Sequence, residues 1–124
     1  MIDPAEIRRL ALALPSVVDA SQGGRLVFEV AGGKGFAWTY LLRVDPKKPR
    51  VADPAVLAVR CQIERKEMLI EAARDRFFDD DHYRSYAAVL IRLAAIEADE
   101  LAEVLRAGWR LSAPKPLLKA HPEL

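Results

Sequence analysis

Apolar residues recur along this chain with a helical period in some stretches and a strand period in others, and the switches between the two mark its elements. Asp3, Pro4 and Glu6 open the first one: an N-cap oxygen, a proline suited to the first helical position, and the acidic partner of an Asp-x-x-Glu capping box. Ile7, Leu10, Ala11 and Leu14 follow at helical spacing as one apolar stripe, which Pro15 stops. Arg25 to Val30 then alternates, with Leu26, Phe28 and Val30 on one face and Arg25 and Glu29 among those on the other. Phe36 to Leu42 alternates again, placing Phe36, Trp38, Tyr40 and Leu42 on one side. The glycine-rich Ala31–Gly35 between these runs predicts an antiparallel hairpin. Asp45-Pro46-Lys47-Lys48-Pro49-Arg50 reads as a turn-rich basic connection, and Asp53-Pro54 as a second break.

A third strand is predicted over Ala55–Ile63, with Ala55, Leu57, Val59, Cys61 and Ile63 on one face and Arg60 on the other. Residues 65–76 return to a helical period whose buried side is Met68, Leu69, Ala72 and Ala73. Phe77-Phe78 is a hydrophobic anchor before the Asp79-Asp80-Asp81-His82 break. Tyr86 to Ala94 is a fourth strand, apolar on both faces except at Arg92, which predicts a central position. A last helix covers roughly 98–111 with Leu101, Val104, Leu105 and Trp109 as its stripe; Pro114 and Pro116 end it, and the tail beyond is predicted to be loose. The order α-β-β-β-α-β-α predicts an α+β fold: a mostly antiparallel sheet of four strands or slightly more, with helices packed on one face. One domain over 1–118 and a loose tail over 119–124 follow.

Composition narrows the class. Of 124 residues, 52% are hydrophobic and 30% charged, which excludes a disordered or fibrous chain. A single cysteine excludes an intrachain disulfide framework and a four-cysteine zinc site. The start lacks the basic and apolar regions of a signal peptide, and no run is long enough to span a bilayer, so the cytoplasm is the expected location. Nineteen Lys+Arg against 18 Asp+Glu leave a net charge of +1, too little to attract a polyanion by itself. The distribution is uneven. Residues 34–66 hold eight basic and three acidic side chains, a local +5; residues 67–103 come to −6, and residues from 104 onward to +3. A fold that joins the middle segment to the C-terminal one would make a single basic face.

Candidate chemistry is sparse. Gly32-Gly33-Lys34-Gly35 resembles a phosphate loop only in part, because Lys34 is followed by glycine and a strand rather than by Ser or Thr and a helix; it reads as a hairpin turn. Asp79, Asp80, Asp81 and His82 are consecutive and cannot converge on one cation, so they read as a solvated loop. Cys61 falls on an apolar strand face, and with only His82 and His121 as bases it reads as a small hydrophobe. Trp38, Tyr40, Tyr83 and Tyr86 could stack bases, but aromatics on a sheet face are more often core.

Several segments are similar to one family. Leu10-Ala11-Leu12-Ala13-Leu14-Pro15, Val27-Phe28-Glu29-Val30 leading to Lys34-Gly35-Phe36-Ala37, and Arg43-Val44-Asp45-Pro46-Lys47-Lys48-Pro49-Arg50 together resemble the MmcQ/YjbR family. So do Phe77-Phe78 before His82-Tyr83 and Tyr86, and the ending Gly108-Trp109-Arg110-Leu111-x-Ala113-Pro114-Lys115. The resemblance implies a frataxin-like (CyaY-like) α+β fold, and DNA binding through a double-wing arrangement of β-hairpins. Two departures stand out: Gly23-Gly24 where many members have an aromatic-glycine pair, and Ser85-Tyr86-Ala87 in place of a Gly-rich, Trp-containing approach to the last strand.

The expected function is therefore non-enzymatic DNA binding, with the hairpin around Gly32–Gly35 and the loop around Lys47–Arg50 as wings against phosphate. Lys34, Lys47, Lys48, Arg50 and Arg60 are the expected backbone contacts, joined by Arg110 and Lys115. Such contacts position the protein without reading sequence. No catalytic residue, cofactor, metal or membrane partner is expected, and the molecule should be a monomer or a weak homodimer. The alternative is a protein-interaction or small-ligand module using the aromatic sheet or the Trp109 helix, motivated by a pI of only about 7.9. Iron handling would rest on analogy of fold alone, and the first helix offers only Asp3 and Glu6 for it.

Overall fold

Asp3 Oδ1 accepts the Glu6 backbone N–H at 2.8 Å and starts α1 (Pro4–Leu12), as the capping pattern predicts. The structure, a computed structural model, describes residues 1–124. After α1 the chain reverses at Ser16, a non-glycine residue at φ 57° whose carbonyl is held by the Ala31 N–H at 2.8 Å. There follow β1 (Val17–Asp19), β2 (Val27–Val30), β3 (Gly35–Leu42), β4 (Val51–Arg60), α2 (Ile63–Ala72), β5 (Phe77–Phe78), β6 (Ala88–Arg92), α3 (Ala98–Ser112) and α4 (Lys115–Ala120). The strands form one sheet in the order β1-β2-β3-β4-β6-β5, every neighbouring pair antiparallel. The predicted α+β class holds with six strands rather than four. The two additions, β1 and β5, are three and two residues long, too short for alternation to mark them. No helix is long and apolar enough to cross a membrane.

The main core lies between the sheet and helices α1 and α3. Ile7 and Ala11 of α1 and Leu101, Leu105 and Trp109 of α3 meet Phe28, Phe36, Leu57, Val59 and Ile91 of the sheet. Trp109 is wholly buried, and its indole N–H donates to the Pro15 carbonyl at 2.9 Å, tying the end of α3 to the end of α1. The Trp109 helix is thus a core element, and its ring is closed to any partner. A helix can press this closely on β4 because of Gly108: a Cβ there would come within 2.9 Å of the Arg60 carbonyl and of Val59 Cγ1.

Several sequence expectations are corrected by tertiary context. β4 begins at Val51 and runs through Asp53-Pro54, because the pairing with β3 shifts between Thr39↔Leu57 and Tyr40↔Asp53. Pro54 sits in that irregularity, where its missing N–H breaks no ladder. Phe36 does not share a face with Trp38 and Tyr40. The pairs Phe28↔Ala37 and Glu29↔Gly35 leave it as the extra residue of a β-bulge, turned into the main core. Ile63 belongs to α2, not to the strand, and Met68 is 69% exposed while Lys66 is buried at 1%. Pro114 and Pro116 open α4, since proline suits a first helical turn, and Leu117 and Leu118 pack against the main core.

Gly108→Ala is expected to destabilise the protein by about 2 kcal/mol through overpacking against β4, measured as a lower urea midpoint at unchanged slope.

Candidate functional site

The sheet face away from α1 and α3 carries a second, smaller core. Tyr40, Val56, Ala58, Tyr83, Ala88 and Leu90 are buried there, with Trp38 and Phe78 packed at its margin. No helix covers it; the cover is the connection between β5 and β6, which lays Tyr83 across the strands. Alternation along β4 and β6 feeds both faces, Val56 and Ala58 outward and Leu57 and Val59 inward.

Above this small core lies a cleft of about 410 Å³ lined by Trp38, His82, Tyr83 and Tyr86. Its walls meet nearly at right angles: Tyr83 and Tyr86 at 89° with centroids 5.8 Å apart, and Trp38 and Tyr86 at 70° and 6.3 Å. The Trp38 indole N–H donates to Tyr83 Oη at 3.0 Å, which locks two of the walls together. Asp80 braces the floor, accepting the Tyr83 backbone N–H at 2.7 Å on one oxygen and the Tyr40 hydroxyl on the other. Burial, and then this bond to Asp80, push the Tyr40 hydroxyl pKa up to about 12. Arg60 stands against the wall, its guanidinium 5.8 Å from the Trp38 ring centroid and 5.9 Å from that of Tyr86, with Nε bonded to the Gly35 carbonyl at 2.9 Å.

What fixes the cover is Lys66. Its ammonium reaches from α2 to the Tyr83 and Tyr86 carbonyls at 2.8 Å each, the Arg84 carbonyl at 3.4 Å, and Asp79 Oδ2 at 3.0 Å. An ammonium has three N–H groups, and these acceptors surround it. A buried charge persists only where it is paired and hydrogen-bonded, and here that requirement shapes the loop. Of the three aspartates read as a solvated break, Asp79 holds Lys66 and Asp80 holds Tyr40 and Tyr83, while Asp81 stays in solvent beside the exposed Arg84. Cys61 is buried, and burial pushes its thiol pKa up, which keeps it protonated and unreactive.

The expected phosphate contacts separate into two groups. Pairing with β2 ends near Trp38 and pairing with β6 ends at Val56, so beyond them β3 and β4 pair only with each other, Tyr40↔Asp53 to Leu42↔Val51. This two-stranded ribbon and its turn carry Lys47, Lys48 and Arg50, with Arg43 holding the turn through the Pro46 and Lys48 carbonyls. Leu42, Val44 and Val51 stand exposed on it, Val44 at 74%. Lys34 lies at the other end of β3, roughly 23 Å away along the strand. The turn that bears it is docked: the Lys34 N–H donates to the Ser112 carbonyl at 3.1 Å, and a Cβ on Gly33 would sit 2.0 Å from that oxygen. Arg110, bonded to the Leu124 carbonyl, and Lys115 flank this same end of α3. None of the seven pairs with an Asp or Glu side chain. The basic residues therefore make a projecting group and a docked group, with Arg60 beside the cleft, rather than one face.

Sequence reasoning missed Lys66 and Arg43 and split the aromatics differently. Lys66 had a visible signal: it occupies the helical stripe completed by Leu69, Ile70 and Ala73, so a cation stands where an apolar residue is expected. Of the four aromatics, Tyr40 and Tyr83 are buried, Tyr86 is 44% exposed and Trp38 lies between.

An open antiparallel sheet with helices on one face and an aromatic cleft on the other defines a small α+β protein. A family model described as YjbR matches residues 12–111, and the chain belongs to the YjbR family. Two similar proteins are the uncharacterised Rv2570 of Mycobacterium tuberculosis and Mb2600 of Mycobacterium bovis, each 43% identical over 96 residues that span 72% of this chain and 74% of the relative. The crystal structure of Deinococcus radiodurans protein DR2400, with a DUF419 domain, superposes with a TM-score of 0.66 over 90% of this chain and 78% of that one; at 24% identity it shows a shared fold.

Lys66→Met is expected to cost about 3 kcal/mol, because one partner of a buried ionic network is removed and its acceptors are stranded, with loss of chemical-shift dispersion at Trp38 as the local sign. Tyr40 gives a pH test. Its folded pKa is raised, so its contribution to stability is complete below pH 10.0 and is lost as pH climbs towards about 12. In urea unfolding, Tyr40→Phe should flatten the stability loss over that alkaline window.

Proposed function

We propose that the protein is a non-enzymatic DNA-binding protein whose contact element is the β3–β4 ribbon. The observation that carries this reading is a two-stranded arm that projects past its sheet, bearing Lys47, Lys48 and Arg50 without carboxylate partners and the exposed Leu42, Val44 and Val51. Cations on a projecting arm can approach phosphates and release counterions. Apolar side chains beside them resemble the wedges that architectural proteins press into a minor groove. Lys34, Arg110 and Lys115, at the opposite end of β3, contact the same duplex only if it runs along the sheet. The double wing thereby reduces to one free wing and one docked turn. Membership of the YjbR family supports the reading.

A second reading, a small-ligand module without a nucleic-acid role, is favoured by one observation: the cleft is braced by a buried lysine although no helix covers it.

Binding of a labelled duplex is expected to weaken as salt rises, with a log–log slope of about −3 if the three ribbon cations each neutralise a phosphate. Lys47→Ala with Lys48→Ala should bring that slope to about −1 without changing thermal stability. A duplex left unbound at low salt by tens of micromolar protein would end this reading.

A further inference from the structure

The aromatic cleft stands apart from the ribbon tip and calls for its own occupant. Two features select that occupant. The first is shape: Trp38, His82, Tyr83 and Tyr86 line about 410 Å³, and because Tyr86 meets both Trp38 and Tyr83 edge to face, the ring faces turned to the cleft offer a surface on which a flat ring can stack. Cavities of this size are in the usual range for small-molecule sites. The second is charge. Perpendicular aromatic walls would ordinarily suit a cation, but the wall of Trp38 and Tyr86 already has one, Arg60. A second positive group would be repelled.

Arg60 also has capacity to spare. Nε is bound to the Gly35 carbonyl, while Nη1 and Nη2 have neither a hydrogen bond nor an ion pair. A guanidinium fixed at Nε and free at both terminal nitrogens presents the fork that a carboxylate or phosphate takes with two bonds. The acidic residues of the neighbouring loop do not compete, since Asp79, Asp80 and Asp81 are engaged by Lys66, Tyr40 with Tyr83, and Arg84. Phosphate contact by Arg60 was expected along a DNA backbone. Its position beside the rings assigns it to an anion attached to a ring.

We infer that the cleft binds a planar aromatic molecule with one anionic substituent, the ring stacked on the aromatic lining and the anion on the Arg60 fork. The inference gives the second reading a ligand class and holds whether or not the ribbon meets DNA. An aromatic carboxylate and a mononucleotide share this chemistry, and the probes separate them.

The test is a heteronuclear NMR titration that follows the Trp38 indole N–H, distinguished from that of the buried Trp109. Naphthoate, naphthamide and naphthylmethylamine present one ring with negative, neutral and positive substituents; adenosine monophosphate and adenosine form the second pair. Naphthoate or adenosine monophosphate should saturate the Trp38 shift and bind at least about tenfold tighter than its uncharged counterpart, as a charge-assisted fork requires. The tighter of the two anions identifies the source. Arg60→Gln should bring the anion down to the affinity of its neutral counterpart and leave the latter unchanged. Arg60→Lys, which keeps the charge and loses the fork, should fall between and guards against a folding defect in the first variant. Lys47→Ala with Lys48→Ala should leave ring binding intact while weakening any duplex binding. The inference is overturned if neither anion saturates, if charged and uncharged rings bind equally, or if folded Arg60 variants bind the anion as wild type does.

Discussion

Lys66 is the residue on which the outer face of this protein depends. An ammonium taken out of water must be surrounded by acceptors, and α2 delivers this one to a place where the acceptors are the backbone carbonyls of Tyr83, Arg84 and Tyr86 and the carboxylate of Asp79. The connection over residues 79–87, with no regular structure of its own, is thereby given one conformation. Tyr83 then lies over the strands, Tyr86 stands against Trp38, and Asp80 closes the network by accepting from Tyr40 and Tyr83. The inner face needs no such device, because α1 and α3 bring apolar stripes that pack by burial alone.

This division gives the two faces different tasks. The inner one holds Trp109, Phe28, Phe36 and Leu105 without solvent contact and accounts for most of the stability through burial. The outer one exposes aromatic surface in a concave, braced setting. A protein gains little stability from a buried cation held by carbonyls, since apolar packing of the same volume often does as well. What the lysine supplies is a fixed arrangement of rings, as a binding site requires for affinity without ordering cost. The ribbon beyond Tyr40 is a third region, free of both cores, where cations and exposed apolar side chains coexist.

Much of the fold was legible in the chain. The cap at Asp3 is a local hydrogen-bonding signal, and the stripe from Leu101 to Trp109, the alternation of β2 and β4 and the unbroken apolar run of β6 each reflect a local pattern that burial imposes on sequence. Membership of the YjbR family was legible in the ending around Gly108-Trp109-Arg110 and in the Arg43–Arg50 segment. Three features were not. The bulge at Phe36 shifts a face without leaving a composition signal, Pro54 sits harmlessly in a register shift, and Pro114 and Pro116 start a helix although their type more often suggests an end.

The candidate site shows the same boundary more sharply. Residue types and spacing along the chain determined which elements exist, which stripes are apolar and where cations concentrate, because those follow from interactions within a few residues. Only the tertiary structure decided that Lys34 and Lys47 lie at opposite ends of β3, that Lys66 turns inward to carbonyls seventeen to twenty residues away, and that Arg60 shares its place with Trp38 and Tyr86. Contacts of that kind join segments distant in sequence, and a local pattern holds no record of which distant partner will be there.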